Sequence, residues 1–257
     1  SELMKIFIIL CLAKYFHRKR LENVNSFYSV MISTIIIFLP MSLVIIQPDL
    51  GTSILISISG IIVLWFAGLN HKYFFYSILL SLLSLPFIIS FLKPYQKLRV
   101  LTFLNPDRDP LGAGYQIIQS KIAVGSGGLF GKGFLKGTQS YLEFLPEKHT
   151  DFIFTLFSEE FGFFGSILLL LIYAVIIYRV IKIGSISRSY FAKLFCYSFG
   201  ASLFIYIVIN MSMVLGLVPI VGSPLPIMSY GGSSMLATMI GFGVVMSAKI
   251  HNTQAIA

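Results

Sequence analysis

The strongest chemical candidate in the 257-residue sequence is Asp151, which follows His149 and Thr150 and stands directly before a long apolar run. Pro146 breaks the chain just upstream, within Leu142–Phe154 (LEFLPEKHTDFIF). One account of Asp151 is helix capping: Thr150 or Asp151 would satisfy free N–H groups, and a carboxylate suits the positive end of a helix. The other is general-base chemistry, in which the carboxylate takes a proton from a sugar hydroxyl. A single carboxylate with no covalent nucleophile beside it suits inversion at an anomeric carbon, by analogy with the carboxylate rules of hydrolases. An oxygen-ligated Mg²⁺ is compatible with such a site.

Other charged residues have spacings that could serve an anionic substrate. Glu2 and Lys5 are three apart and share a helical face. They read either as a local ion pair or as a lysine poised for a pyrophosphate, and Lys5 could also snorkel to headgroups. Lys121, Lys132 and Lys136 are candidates for anionic headgroups or a lipid-linked diphosphate. Asp49, in the turn Gln47–Ser53 (QPDLGTS), reads mainly as the cap of a span that starts near Thr52. Glu159 and Glu160 fall about two turns into the apolar run below Asp151.

These residues are embedded in a greasy chain. Hydrophobic residues make up 56% of it and charged residues 11%, with 24 Phe against one Trp. An ordinary globular protein is roughly 25% charged, so the composition excludes a soluble fold and points to an integral membrane protein. The net charge of +9 does not indicate nucleic acid, because the basic residues lie between apolar runs rather than along one stripe. The two cysteines, Cys11 and Cys196, lie inside apolar runs and offer neither a disulfide framework nor a zinc site.

An apolar helix needs about 20 residues to cross a bilayer. On that template seven spans are predicted: 3–16, 27–46, 52–69, 73–92, 152–178, 191–213 and 230–248. Lys14, Arg18, Lys19 and Arg20 follow the first span, Arg179, Lys182, Arg188 and Lys193 surround another junction, and Lys72 and Lys249 share the same side. The excess of Lys and Arg places these connections in the cytoplasm. Glu2, Asp49, Asp107, Asp109, Glu143, Glu147 and Asp151 then lie on the extracytoplasmic side, and Glu22 alone among the acids faces the cytoplasm. Carboxylates in or beside hydrocarbon are costly and usually functional, so the chemistry belongs on the outer face. His149 is the one outward histidine of four, which excludes a multi-histidine metal site.

The connection from about 93 to 151 is too long for a simple linker. It is rich in glycine but lacks the spacing of a phosphate-binding P-loop: Ser126 precedes Gly131 by five, and Gly133 follows Lys132. Within it Tyr115–Val124 (YQIIQSKIAV) places Ile117, Ile118 and Ile122 at helical spacing, as in an interfacial segment. Val218–Ser234 (VPIVGSPLPIMSYGGSS) holds three prolines and three glycines and cannot be a continuous helix. Irregular backbone at membrane depth suits a re-entrant turn beside a substrate cavity. Asn210 and Ser212 read as interhelical hydrogen-bond partners.

Four ordered segments carry a family resemblance: QPDLGTS at 47–53, DPLGAGYQIIQSKIAVGSGGLFGKG at 109–133, GTQSYLEFLPEKHTDFIF at 137–154 and PLPIMSYGGSS at 224–234. Together they resemble the SEDS family of polytopic cell-wall polymerases, in its RodA-like form, over essentially the whole chain. The resemblance implies an all-helical membrane bundle of about ten spans in the full family and a single membrane domain here. It implies a peptidoglycan glycosyltransferase that polymerises lipid II on the outer face of the bacterial cytoplasmic membrane during cell elongation. Asp151 matches the family's essential acid, and Glu2 and Lys5 match a polar pair at the outer end of its fourth span. A divalent cation (Mg²⁺ or Mn²⁺), a class B penicillin-binding protein and other membrane proteins of the elongation complex are implied as cofactor and partners. The chain starts within what resembles the fourth span, so a truncated sequence or a degraded gene is expected.

Two rival functions use the same features. A transporter of lipid-linked oligosaccharide would need polar intramembrane residues toward both leaflets, whereas the acids here cluster outward. A scaffold that only activates a transpeptidase would tolerate Asp151→Ala without loss of glycan synthesis. The substrate-facing set under the enzymatic reading is Asp151 with Glu2, Lys5, Lys121, Lys132 and His149.

Overall fold

A computed structural model describes residues 2–19, 23–47, 49–91, 93–106, 109, 112–137 and 149–252. Glu22, Asp107, Glu143, Pro146 and Glu147, with most of the 137–154 motif, lie outside the described residues. Nine α-helices are described: α1 Glu2–His17, α2 Phe27–Ile46, α3 Leu50–Phe66, α4 His71–Phe91, α5 Pro94–Leu104, α6 Ala113–Ser126, α7 Ile153–Ile186, α8 Tyr190–Val214 and α9 Gly232–Ile250. The chain is an all-α membrane bundle, with a helix at each of the seven predicted spans. Four of them (α2, α7, α8 and α9) are long and apolar enough to cross a membrane, and α3 is a shorter apolar helix.

α8 is the central helix, buried along most of its length. It packs with α1, α3 and α9 through Ile9, Leu12 and Phe16, Ile56 and Val63, Phe195 and Phe199, and Val245. Lipid tails are as apolar as these side chains, so close packing rather than exclusion from water must hold such helices together. Small residues supply it. A Cβ on Gly60 would meet Ile37 at 2.5 Å, and one on Gly241 would meet the Phe199 ring at 2.3 Å. Several helix hydroxyls are satisfied locally, as where Ser33 donates to the Ser29 carbonyl and Thr238 to the Ser234 carbonyl.

The chain ends of these helices sort cleanly. The amide of Phe191 donates to His17 Nδ1, the amide of Asn70 to Asn25 Oδ1, and the amide of Arg188 to Asn252 Oδ1. One end of the bundle therefore gathers the junctions that carry Lys14, Arg18, Lys19, Lys72, Arg188, Lys193 and Lys249. Asp49 and Asp151 stand at the other.

Two departures from the sequence-based spans shape the site. α7 runs 34 residues to Ile186, about 51 Å at 1.5 Å per residue, and it is broken at Gly162 (φ 67°, ψ −161°). The last helix starts at Gly232 rather than at Tyr230, because the irregular segment extends through Gly231. Within the long connection, α6 realises the segment around Tyr115–Val124, and α5 is a helix that the sequence reading left unassigned. α6 docks on the bundle: Ile117 is buried and Ser120 donates to the Val214 carbonyl, although Ile122 stays exposed.

Candidate active site before helix α7

Asp151 stands one residue before the cap position of α7. The cap position of α7 falls on Phe152, whose side chain has no oxygen to offer. Asp49, by contrast, is the true cap of α3 and accepts from the Thr52 amide at 3.1 Å. The half-buried Asp151 is held through its backbone. Asn210 Nδ2, fully buried in α8, donates to the Asp151 carbonyl at 2.9 Å and to the Ser223 carbonyl at 2.7 Å. One amide thus joins the residues before α7 to the irregular segment 215–231.

Further bonds run along the same seam. The Ser229 hydroxyl donates to the Thr150 carbonyl at 2.6 Å and accepts from the Leu225 amide at 2.7 Å. The Tyr230 amide donates to the His149 carbonyl at 2.9 Å, and the Tyr173 hydroxyl donates to the Pro226 carbonyl at 2.6 Å. Non-helical backbone in a membrane protein must find partners within the protein, and residues 149–151 supply them. The re-entrant turn expected from its prolines and glycines is thereby held in place.

Asp151 Oδ2 faces Gly222 (φ +71°), where a Cβ would stand 3.5 Å from the carboxylate. Neighbours of Asp151 and Gly222 line two cavities. One, of about 560 Å³, is lined by His149 and Ile153, two residues either side of Asp151, and by Met228–Gly232 and Met235. The other, of about 380 Å³, is lined by Asp49, Gly51, Gln96, Arg99 and Pro219–Val221, the residues just before Gly222. Gly51 is required here, since a Cβ would lie 1.9 Å from the Val221 carbonyl oxygen. Arg99 Nη1 donates to the Ile220 carbonyl at 3.4 Å.

The remaining sequence candidates fall in distinct places. Lys5 is buried in α1 rather than snorkelling to headgroups: its ammonium binds Glu2 at 2.7 Å and lies 5.1 Å over the Tyr206 ring. Tyr206 is one turn before Asn210 on α8, and its hydroxyl bonds to Ser59. The Glu2–Lys5 pair therefore lies inside the bundle, about one helical turn below the Asn210 clamp. Lys121 is exposed and lies against Gly216, in the turn after α8. Lys132 is bound to Glu159 at 2.8 Å, with the carboxylate wholly buried. His149 borders the larger cavity.

The glycine-rich stretch before Lys132 repairs the break in α7. Lys132 and Gly133 amides donate to the Glu159 and Glu160 carbonyls, both at 3.0 Å. Phe163 and Phe164 amides donate to the Gly128 and Leu129 carbonyls. A break at Gly162 frees helix groups that hydrocarbon cannot satisfy, and the loop backbone satisfies them. The approach leaves no room for side chains: a Cβ on Gly127, Gly131 or Gly162 would lie 2.1–2.3 Å from backbone of the facing segment.

Arg99 and Gln96 were missed as site residues by the sequence reading. The signal was present, because Pro94 at a helix start with Gln96 two residues on marks α5, and the Lys93 amide donates to Gln96 Oε1. Among the described residues, no three His, Cys, Asp or Glu side chains stand together.

Comparison with known proteins agrees with this architecture. A family model described as "Cell cycle protein" (FtsW, RodA, SpoVE) matches residues 1–254. The peptidoglycan glycosyltransferase MrdB of Escherichia coli (strain K12) is 46% identical over 256 residues, covering 98% of this chain and 68% of that protein. The chain also superimposes on a solved structure from work on the structural coordination of polymerization and crosslinking by a peptidoglycan synthase complex. That match has a TM-score of 0.80 at 32% identity and covers 99% of this chain and 70% of the other. The crystal structure of the Thermus thermophilus rod shape determining protein RodA shares the fold, with a TM-score of 0.67 at 24% identity over 99% of this chain and 66% of that one. With a family model spanning nearly its whole length and a relative at 46% identity, the chain belongs to the FtsW, RodA and SpoVE family.

Proposed function

We propose that this chain is a RodA-type peptidoglycan glycosyltransferase that extends glycan strands from lipid II, with Asp151 as its general base. The observation that carries the assignment of the base is the placement of Asp151: half-buried, held through its carbonyl by Asn210, and two residues from both His149 and Ile153, which line a cavity. The reaction is a single displacement. A hydroxyl oxygen of the acceptor sugar attacks the donor's anomeric carbon while Asp151 takes its proton, and the new glycosidic bond forms. The bond from that carbon to the phosphate oxygen breaks, and its electron pair leaves with the undecaprenyl diphosphate, which inverts the configuration.

Lys121 is the exposed cation offered to the diphosphate, and His149 contacts a sugar through the larger cavity. Glu2 and Lys5 set the electrostatics of the bundle below the site, and Lys132 acts through Glu159 to hold the loop. The active face is extracytoplasmic, on the bacterial cytoplasmic membrane, because the basic junctions gather at the opposite end. A class B penicillin-binding protein is the proposed partner, with other elongation-complex membrane proteins around it. Support comes from the name of the E. coli relative and from the solved synthase complex that this chain resembles.

The test uses purified full-length protein with its transpeptidase partner and lipid II. Asp151→Asn keeps the side-chain shape and removes the base, and polymer yield is expected to fall by at least about a hundredfold. Unchanged yield would refute the assignment and favour the scaffold function.

A further inference from the structure

At the end of the bundle opposite Asp151, a cavity of about 300 Å³ lies between the last turns of α7 and α9 and is lined by Arg179, Lys182, Lys249, Ile183, Ile186 and Asn252 among others. Asn252 builds it: its Nδ2 donates to the Ile186 carbonyl at 3.2 Å and its Oδ1 accepts from the Arg188 amide at 2.8 Å. Three cations from two helices distant in sequence thus converge on one hollow. None of the three has a carboxylate partner among the described residues, where the ion pairs are Lys5–Glu2 and Lys132–Glu159.

A topological signal requires only that basic residues lie on one side of the membrane. It does not require them to share a cavity, and converging like charges repel one another unless an anion lies between them. A guanidinium beside two ammonium groups matches a phosphate, with the fork of the arginine engaging two oxygens. The surroundings select the form of that phosphate. Val175, Tyr178, Ile186 and Ile250 are exposed around the hollow, and the Lys182 ammonium lies 5.9 Å over the Tyr178 ring. A basic pocket at the edge of an apolar, lipid-facing band is where a headgroup meets its acyl chains. We infer that this cavity binds the phosphate of an anionic phospholipid from the leaflet at that end.

Native mass spectrometry of the full-length protein, titrated with phosphatidylglycerol, phosphatidylcholine or inorganic phosphate, tests the inference. Phosphatidylglycerol should be retained over phosphatidylcholine. The triple variant Arg179→Gln, Lys182→Gln, Lys249→Gln should weaken that retention at least tenfold. A control, Arg18→Gln, Lys19→Gln, Lys193→Gln, removes equal charge from the same end and should stay within twofold of the parent. Undiminished retention by the triple variant, or equal loss in the control, would overturn the site. Full displacement of the lipid by millimolar inorganic phosphate would overturn the lipid as ligand and leave a soluble anion in its place. If the triple variant does not fold, the exposed single variants Lys182→Gln and Lys249→Gln carry the comparison, with unchanged retention in both counting against the site.

Discussion

Asn210 holds Asp151 by its carbonyl, 2.9 Å from an amide that simultaneously holds Ser223. The residue is thus held through its backbone, and its Oδ2 faces Gly222. Replacing Asn210 with Leu removes both bonds, and the buried Ser223 carbonyl loses its partner at about 1–3 kcal/mol. We expect glycan synthesis by the full-length protein to drop about tenfold or more, with substrate affinity changed less than turnover. Asn210→Gln should recover part of the loss, which a purely volumetric role would not allow.

The loop that mends α7 makes a paired expectation about glycines. Gly131 has φ +80° and a Cβ there would lie 2.1 Å from the Glu160 carbonyl oxygen. Gly131→Ala should therefore destabilise the protein by about 1–3 kcal/mol or more from backbone strain alone. Gly125, inside α6 with open space around it, should accept alanine and gain roughly 0.4–1 kcal/mol. Thermal unfolding in detergent distinguishes the two, and equal shifts would contradict the loop's structural role.

Lys132 and Glu159 should behave as one unit. The carboxylate is wholly buried and the ammonium only partly so, with 2.8 Å between them. A double-mutant cycle of Lys132→Met and Glu159→Gln is expected to return a coupling of about 1–3 kcal/mol. A coupling near zero would mean that the loop is held by its backbone bonds alone.

The buried Glu2–Lys5 pair makes a further distinction. Lys5→Met leaves the Glu2 carboxylate without its 2.7 Å partner and takes the cation from the Tyr206 face. Activity in the lipid II assay should fall about tenfold or more, and Lys5→Met combined with Glu2→Gln should restore stability without restoring activity. Recovery of both would reduce the pair to a structural ion bridge.

Much of this molecule is local in origin and could be read from its residues in order. The apolar runs form helices because a membrane leaves the backbone no other way to satisfy itself, and their positions follow from hydropathy alone. Asp49 capping α3, the helical spacing of Ile117 and Ile118, and the helix-breaking prolines between Val218 and Ser234 are likewise written within a few residues of where they act. The candidate base was visible for the same reason, as a carboxylate set beside hydrocarbon. Its setting was not. Asn210 lies 59 positions from Asp151, and Ser229 lies 79 from Thr150. The glycines around Lys132 fit no phosphate-binding spacing, and their role follows only from the break of α7 at Gly162, which exposes the groups they satisfy. Contacts between distant segments leave no periodicity or spacing in the chain, so only packing could bury Lys5, pair Lys132 with Glu159 and clamp Asp151 to Asn210.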